Sequence, residues 1–361
     1  MKKETIHGLA SVIVLVCTLA GLLLGWGQDS VVRNRRVITA VGVSGNTSKY
    51  TVSVQAVEAL KTAANLAEQK EGATDVYSAD GQTVAAAFQN FLSSSGNRAY
   101  VLQNQLLVIS EELCKQRSLF VILDYFMRNS ESNSSVRVVV FRGEPADLLA
   151  VTSGSEAIAA TALTQLVEEG KQWGLCFDST LLDVERAFSG MYDVALPLME
   201  LREGSPKLNG SALFCNGKWA GTLDIPHTTG ILAAGDKLSR TIWNVNGTVF
   251  ELHSLKTTLQ IEKQEAFVKY MFSLSGEAKL LEETVALTVQ QRKTLLQQIE
   301  KELKTCMQES LQKADAARCD VLGLTRRAQQ RYPNETPPFF GDCPKEIEVS
   351  LCLDNNGFFL S

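Results

Sequence analysis

The sequence has few of the side chains on which most enzymes depend. It contains only three histidines in 361 residues, and His7 precedes the first apolar segment. It has no H-E-x-x-H, G-x-S-x-G or G-x-x-x-x-G-K-[ST] motif, and no acidic EF-hand loop. His227 and His253 lie on different predicted elements with no C-x-x-C nearby, so we interpret them as polar structural residues. We therefore assign no catalytic residue, no cofactor and no metal site.

An excess of basic residues is also lacking. The formal net charge is −5, and no run of lysine and arginine forms a stripe. Proteins that bind nucleic acid neutralise phosphates with a basic face. We therefore expect no nucleic-acid partner.

The cysteines are too few and too scattered for a disulfide framework. Seven of the eight follow the first apolar segment, and none is part of a C-x-x-C pair. We interpret most of them as buried thiols. A bond between Cys343 and Cys352, which would close a short loop, stays open as an alternative.

The first apolar segment, residues 8–26, reads GLASVIVLVCTLAGLLLGW and carries no charge. As a helix it would extend about 28 Å, close to the roughly 30 Å hydrocarbon core of a bilayer. Leu23 does not fit the small-residue rule of a signal cleavage site. We favour an uncleaved membrane anchor over residues 1–28, and a cleaved signal or a buried helix remain alternatives.

The rest of the chain predicts an α+β fold of mixed sheet-and-helix domains. VITAVGV and YTVSVQAV predict a hairpin, followed by a strand, a helix and a strand within residues 100–141. A polar link near residue 205 predicts a boundary between an N-terminal region, 29–205, and a C-terminal domain, 206–361. The N-terminal region has a possible further break near residue 145.

The C-terminal domain has two strong hairpin signals and one long helical pattern. Asn216-Gly217 and Asn246-Gly247 predict tight turns between paired strands. Apolar residues recur at three- and four-residue steps from Glu283 to about Ala317, which predicts one long amphipathic helix. EIEVSLCL predicts a last strand near the end of the chain.

Five segments, taken in order, resemble the Ger(x)C family, the C subunits of spore germinant receptors. Those segments are RVITAVGVSGNTSKYTVSVQ, SADGQTVAAAFQNF, LLVISEELCKQRSLFVILDYFMRNSESNSSVRVVVFRGEPADLL, ALFCNGKWAGTLDIPHTTGILAA and ARCDVLGLTRRAQQRYP. The resemblance implies a non-enzymatic subunit of a germinant receptor that takes part in nutrient-triggered germination. It implies A and B subunits as partners, with the B subunit polytopic, and no binding of the germinant by this subunit itself.

The resemblance also implies a location and a set of structural positions. The folded part would lie on the extracytoplasmic side of a membrane, the spore inner membrane in this family. The motif positions that we expect to serve turns, close backbone approaches or a helix cap are Gly42, Gly81, Gly221, Gly230, Asp320, Gly323 and Pro333. Asp320 is expected to cap a helix that begins near Val321.

The sequence departs from the family at the position of its acylated cysteine. Gly25 is followed directly by Trp26, so this divergent member has no lipidation residue there. Two functions of other classes stay open. One is an extracytoplasmic solute-binding module that presents a small molecule to a membrane partner. The other is an anchored hydrolase that uses His227 with Asp224. A deep apolar cleft would favour the solute-binding module. Titratable groups with shifted pKa values in such a cleft would favour the hydrolase.

Overall fold

The computed structural model describes most of the chain after residue 35. The described residues are 36–58, 74–95, 99–100, 104–129, 132–151, 158–190, 192–264, 267–283, 287–334, 336 and 338–354. The expected membrane anchor and Trp26 lie outside them. Among the described residues, no helix is both long enough and apolar enough to span a membrane.

Within the described residues, nine strands form the first sheet, in the order β3-β2-β1-β5-β6-β7-β8-β9, with β4 paired to β1. The strands β1, β5, β6 and β7 pair in parallel. Antiparallel pairing adds β2 and β3 at one end of the sheet, and β8 and β9 at the other. The bounds are β1 Arg36–Gly45, β2 Tyr50–Glu58, β3 Thr74–Gly81, β4 Ala99–Tyr100, β5 Leu106–Ser110, β6 Arg137–Arg142, β7 Val194–Arg202, β8 Ser205–Cys215 and β9 Lys218–Leu223.

Helices cover both faces of this sheet. One face packs against α1 (Val84–Ser95), α2 (Glu111–Gln116), α3 (Leu119–Arg128) and α6 (Leu181–Phe188), and the other against α4 (Pro145–Leu149) and α5 (Ala159–Gln172). The central strand β5 is buried on both faces. Leu107 and Ile109 belong to the hydrophobic core on one face, while Leu106 and Val108 belong to the core on the other. A strand buried on both faces is typical of parallel sheets flanked by helices.

The second sheet has four strands among the described residues, in the order β10-β11-β12-β13. Their bounds are β10 Arg240–Val245, β11 Thr248–Lys263, β12 Val268–Glu282 and β13 Lys345–Leu353. Three helices accompany it, namely α7 (Ile225–Ala234), α8 (Val289–Ala316) and α9 (Leu324–Arg331). The last strand forms as predicted and pairs in parallel with β12.

The long helix α8 confirms the helical periodicity of the sequence. Its 28 residues extend about 42 Å. Thr288 and Gln291 form a capping box at its start. The residues that face the core are Leu296, Ile299, Leu303, Met307, Ser310, Leu311 and Ala314. Val289, which the pattern also included, is 80% exposed because it is the first residue of the helix.

Both predicted Asn-Gly turns are present. Asn216 and Gly217 have φ of 48° and 74°, and Asn246 and Gly247 have φ of 51° and 82°. Two successive left-handed residues are what a two-residue hairpin turn of type I′ requires. Glycine and asparagine adopt that conformation at little cost, which explains why the sequence signal was reliable.

The predicted domain division near residue 205 coincides with a tight turn. Glu203 and Gly204 connect β7 to β8, and these two strands pair with each other in the first sheet. The first sheet therefore continues past this turn to Leu223, where the chain enters α7. The division of the chain into domains stays a prediction.

Candidate functional site

An exposed apolar groove lies where α3 and α6 meet. Phe188, the last residue of α6, is 61% exposed, and Val121 of α3 is 53% exposed. The ring of Phe188 stacks edge-on against Phe120, with 5.0 Å between the ring centroids. The groove has a volume of about 890 Å³ and extends to Tyr50 and Tyr125. We define Phe120, Val121 and Phe188 as the aromatic groove.

The aromatic groove is a candidate contact surface. Clustered exposed apolar side chains on a soluble domain indicate a binding partner, whereas single ones do not. Buried interface centres are enriched in aromatic residues. This groove was not predicted from the sequence, although the sequence contains a signal for it. Residues 119–123 of α3 read LFVIL, five consecutive apolar residues, which is more than one buried face of a helix needs.

Three of the expected structural glycines lie at close backbone approaches. A Cβ on Gly42 would lie 2.5 Å from Cβ of Pro145, and one on Gly81 would lie 2.2 Å from the backbone nitrogen of Ala87. A Cβ on Gly230 would lie 2.1 Å from Oγ of Ser310. These distances are shorter than any side chain tolerates, so each site excludes a larger residue.

The other expected positions lie in turns and at a helix start. Gly323 precedes α9 with φ of 64°, and Gly221 has φ of 143° within β9. Pro333 lies in a turn after α9. The helix begins at Leu324, three residues later than expected, because the left-handed conformation of Gly323 cannot be part of a right-handed helix.

Asp320 connects this helix start to the first sheet. Its two carboxylate oxygens accept hydrogen bonds from the backbone N–H groups of Leu324 and Thr325, each at 2.8 Å. Its own backbone N–H donates to the carboxylate of Asp193 at 2.7 Å. Asp193 lies just before β7 and also accepts from the N–H of Asn216 at 2.8 Å. This pair of carboxylates therefore connects the start of α9 to the beginning of β7 and to the turn between β8 and β9.

His227 and Asp224, the residues of the hydrolase alternative, do contact each other. Asp224 caps α7 by accepting from the backbone N–H of His227 at 3.1 Å, and its carboxylate also contacts Nδ1 of His227. Lys313 approaches the same ring nitrogen at 3.1 Å. A catalytic histidine holds a carboxylate on one nitrogen and a nucleophile on the other. Within the described residues, no hydroxyl or thiol contacts Nε2 of His227.

His253 lies between two carboxylates. Its Nδ1 is 3.5 Å from Glu277, and its Nε2 is 3.4 Å from Asp354. The three ligand atoms lie within 4.8 Å of one another. A metal ion accepts only one nitrogen of an imidazole ring, whereas here each nitrogen faces a different carboxylate. The arrangement fits a histidine that bridges two acids better than it fits a metal centre.

The described cysteines are all free thiols, including Cys343 and Cys352. Burial raises the pKa of the Cys176 thiol to about 12, and it raises the pKa of Cys114 and Cys319 further. A thiol with a raised pKa is a poor nucleophile because the reactive form is the thiolate. These residues act as small buried apolar side chains.

Comparison with known proteins identifies two matching family domains. Residues 29–201 match the family described as "Spore germination protein N-terminal domain", and residues 209–355 match "Spore germination B3/GerAC like, C-terminal". The seven residues between the two matches, 202–208, include the turn between β7 and β8. Together they cover most of the chain.

Individual relatives are more distant. "Spore germination protein KC" of Bacillus subtilis (strain 168) is 28% identical over 141 residues, which is 36% of this chain and 34% of the relative. The match thus spans about a third of that protein's length. The structure titled "Crystal Structure of the GerBC protein" aligns with a TM-score of 0.59 and 13% identity, over 87% of this chain and 97% of that one. At this identity the structural match shows a shared fold.

Proposed function

Because this chain belongs to the Ger(x)C family of spore germination proteins, we propose that it is a non-enzymatic C subunit of a germinant receptor. In this proposal it takes part in nutrient-triggered spore germination through contacts with the A and B subunits. The relative's name and the family descriptions support a part in germination. The receptor complex and its other members are the inference.

The aromatic groove is the observation on which the contact function rests. Two of its side chains are more than half exposed, and burying them against a partner would stabilise a complex by about 25 cal/mol for each Å² of apolar surface removed from water. Asp124 and Arg128 form an ion pair at 2.8 Å beside it. An apolar centre with a charged rim is the usual composition of a protein–protein interface.

The membrane location belongs to the same proposal. Residues 8–26, outside the described part, contain no charged side chain and are long enough to span a bilayer. In this proposal they hold the folded units on the extracytoplasmic side of the spore inner membrane. Trp26 then lies at the interface between lipid and water, where tryptophan is enriched.

The local chemistry also supports a non-enzymatic protein over a hydrolase. Lys313 lies 3.1 Å from Nδ1 of His227 and 3.8 Å from the carboxylate of Asp224. In a catalytic pair the orienting carboxylate holds one ring nitrogen and the nucleophile the other, whereas here Lys313 and Asp224 both contact Nδ1. Cys306, the thiol near this histidine, donates to the carbonyl of Pro226 at 3.1 Å, and burial raises its pKa.

Germination of spores tests this function. A strain that lacks the gene should lose its response to the nutrient that this receptor detects, and the wild-type gene should restore that response. Val121→Asp should fail to restore it, since a charge in the aromatic groove opposes burial. Val289→Asp provides a matched control, because Val289 is exposed in the first turn of a different helix. A full response in the deletion strain, or equal loss with both variants, would contradict the proposal.

A further inference from the structure

A cleft lies between the first sheet with its flanking helices and the second sheet with its helices, which we call the first unit and the second unit. Asp183 and Tyr192 line it from the first unit, and Leu232, Lys237 and Val321 line it from the second. It encloses about 250 Å³ and opens into a shallower depression of about 460 Å³ beside α9. Its volume is close to the lower limit for small-molecule sites.

Of the cations that line the depression, Lys237 also lines the cleft, and Arg186 is paired with Asp183 at 3.6 Å. Lys237 follows α7, and Arg326 and Arg327 lie in the first turn of α9. In the described part of the chain, none of the three forms an ion pair with a carboxylate. The ammonium of Lys237 lies 5.6 Å from the centroid of the Phe177 ring. The face of the ring attracts this cation weakly and also offers apolar surface to a ligand.

The acidic groups of the cleft are already bound to other parts of the protein. Asp178 contacts Arg137 at 2.8 Å and Lys171 at 3.4 Å. Asp183 accepts from the backbone N–H of Thr180 at 2.9 Å and caps α6. Asp193 accepts from two backbone N–H groups as described above. The cleft and the depression together are lined by five cations and three carboxylates, so a net positive charge remains there.

The surroundings of Lys237 also disfavour its charge. Partial burial lowers the pKa of Lys237, and Arg327 and Lys171 lower it further, while Asp183 opposes them. Lys237 nevertheless remains exposed to solvent, so the position is accessible to a solute. An anion placed between these cations would favour the charged form of the lysine.

We propose that the cleft and the adjoining depression together bind a small soluble anion, bearing a carboxylate or phosphate group, through Lys237, Arg326 and Arg327. Leu232, Val321 and Phe177 provide apolar surface for the rest of such a molecule. Because the cleft is formed by both units, the bound anion stabilises their relative arrangement. This site goes beyond the proposed receptor function and does not depend on which molecule triggers germination.

Binding can be measured on the full-length chain in phosphatidylcholine nanodiscs at constant ionic strength. The probes are inorganic phosphate and succinate, and the readouts are isothermal titration calorimetry and the titration of ¹³C-methylated Lys237. We expect saturable binding of at least one probe, with a raised pKa of Lys237 in its presence. The affinity should fall as the pH rises through the lowered pKa of Lys237, because the neutral amine no longer attracts an anion.

Substitutions define the site. Lys237→Gln and Arg327→Gln should each weaken binding about tenfold or more, since each removes a charge-assisted hydrogen bond. Lys218→Gln, an exposed lysine on β9, should leave binding unchanged. Absence of saturable binding for both probes, or equal weakening by the control, would overturn the proposal.

Parallel nanodiscs that contain phosphatidylglycerol distinguish a soluble ligand from a lipid headgroup. The proposal predicts the same affinity for the soluble probe in both lipids, because the cleft lies between two folded units. If the anionic lipid alone raised the pKa of Lys237 and blocked phosphate, the ligand would be a headgroup and the proposal would be wrong.

Discussion

Asp320 stabilises the start of α9 and also contacts the first unit. Its carboxylate binds two backbone N–H groups that would otherwise lack partners in a largely buried position. Loss of a helix cap costs about 0.5–2 kcal/mol, and unpaired buried donors add to that. We predict that Asp320→Ala lowers the free energy of unfolding by about 2 kcal/mol, measured by urea denaturation.

Asp342 provides the control for this substitution. It is exposed and forms a surface ion pair with Arg318 at 3.0 Å. Such pairs contribute about 0–1 kcal/mol, so Asp342→Ala should have a small effect. Equal losses for the two variants would show that Asp320 has no special part in the structure.

Substitution of His227 tests the proposed subunit function against the hydrolase alternative. We predict that His227→Ala changes stability by less than about 1 kcal/mol, because among the described residues the partly buried ring contacts only the exposed side chains of Asp224 and Lys313 through its nitrogen, and Asp224 still caps the helix through the backbone N–H of residue 227. Spore germination should be unchanged. Loss of the nutrient response in a variant that folds normally would favour a catalytic or binding function for this histidine.

Single residues show clearly where sequence reasoning was limited. The cap at Asp320 was predicted. The hydrogen bond from the backbone N–H of Asp320 to Asp193 was not, because the two residues are far apart in the sequence. No local pattern carries that contact. Arg326 and Arg327 could not be distinguished from ordinary solvated residues either, because their significance depends on the neighbouring unit.

At the level of elements, the close crossing of α7 and α8 depends on Gly230. A Cβ there would meet both Oγ of Ser310 and the backbone oxygen of Cys306, the latter at 2.7 Å. We predict that Gly230→Ala destabilises the protein by about 1–3 kcal/mol, although alanine favours a helix. Thermal and urea denaturation of the variant measure this.

Ser310→Ala tests whether the contact itself is responsible. In the Gly230→Ala background it should recover part of the lost stability, since it removes the oxygen nearest to the added methyl group. A double-mutant cycle gives the coupling between the two positions. No coupling would show that the helices do not cross closely at this point.

Elements with strong local patterns were predicted well. The long helix follows from its three- and four-residue steps, and both Asn-Gly turns follow from their conformational preference. The order of strands in the first sheet was not predicted, because it depends on contacts between distant segments. The aromatic groove was missed for the same reason: α3 and α6 meet only after folding.

At the level of the whole molecule, the proposed anchor predicts the mass of the protein in membranes. Diacylglycerol attachment requires a cysteine thiol, and Trp26 provides none. A span of nineteen uncharged residues buries far more surface than a single acyl chain, which binds only marginally. We predict that protein extracted from membranes has the mass of the full polypeptide without a lipid. A mature N-terminus near Trp26 would show cleavage instead.

Recovery of the receptor complex tests the central claim most directly. The full-length, affinity-tagged chain is extracted from spore membranes in mild detergent, and the proteins that accompany it are identified and quantified. The account predicts A and B subunits in a fixed ratio with the wild type and with Val289→Asp, and a clear reduction with Val121→Asp. Recovery of the wild-type chain alone, or from the soluble fraction, would contradict the account.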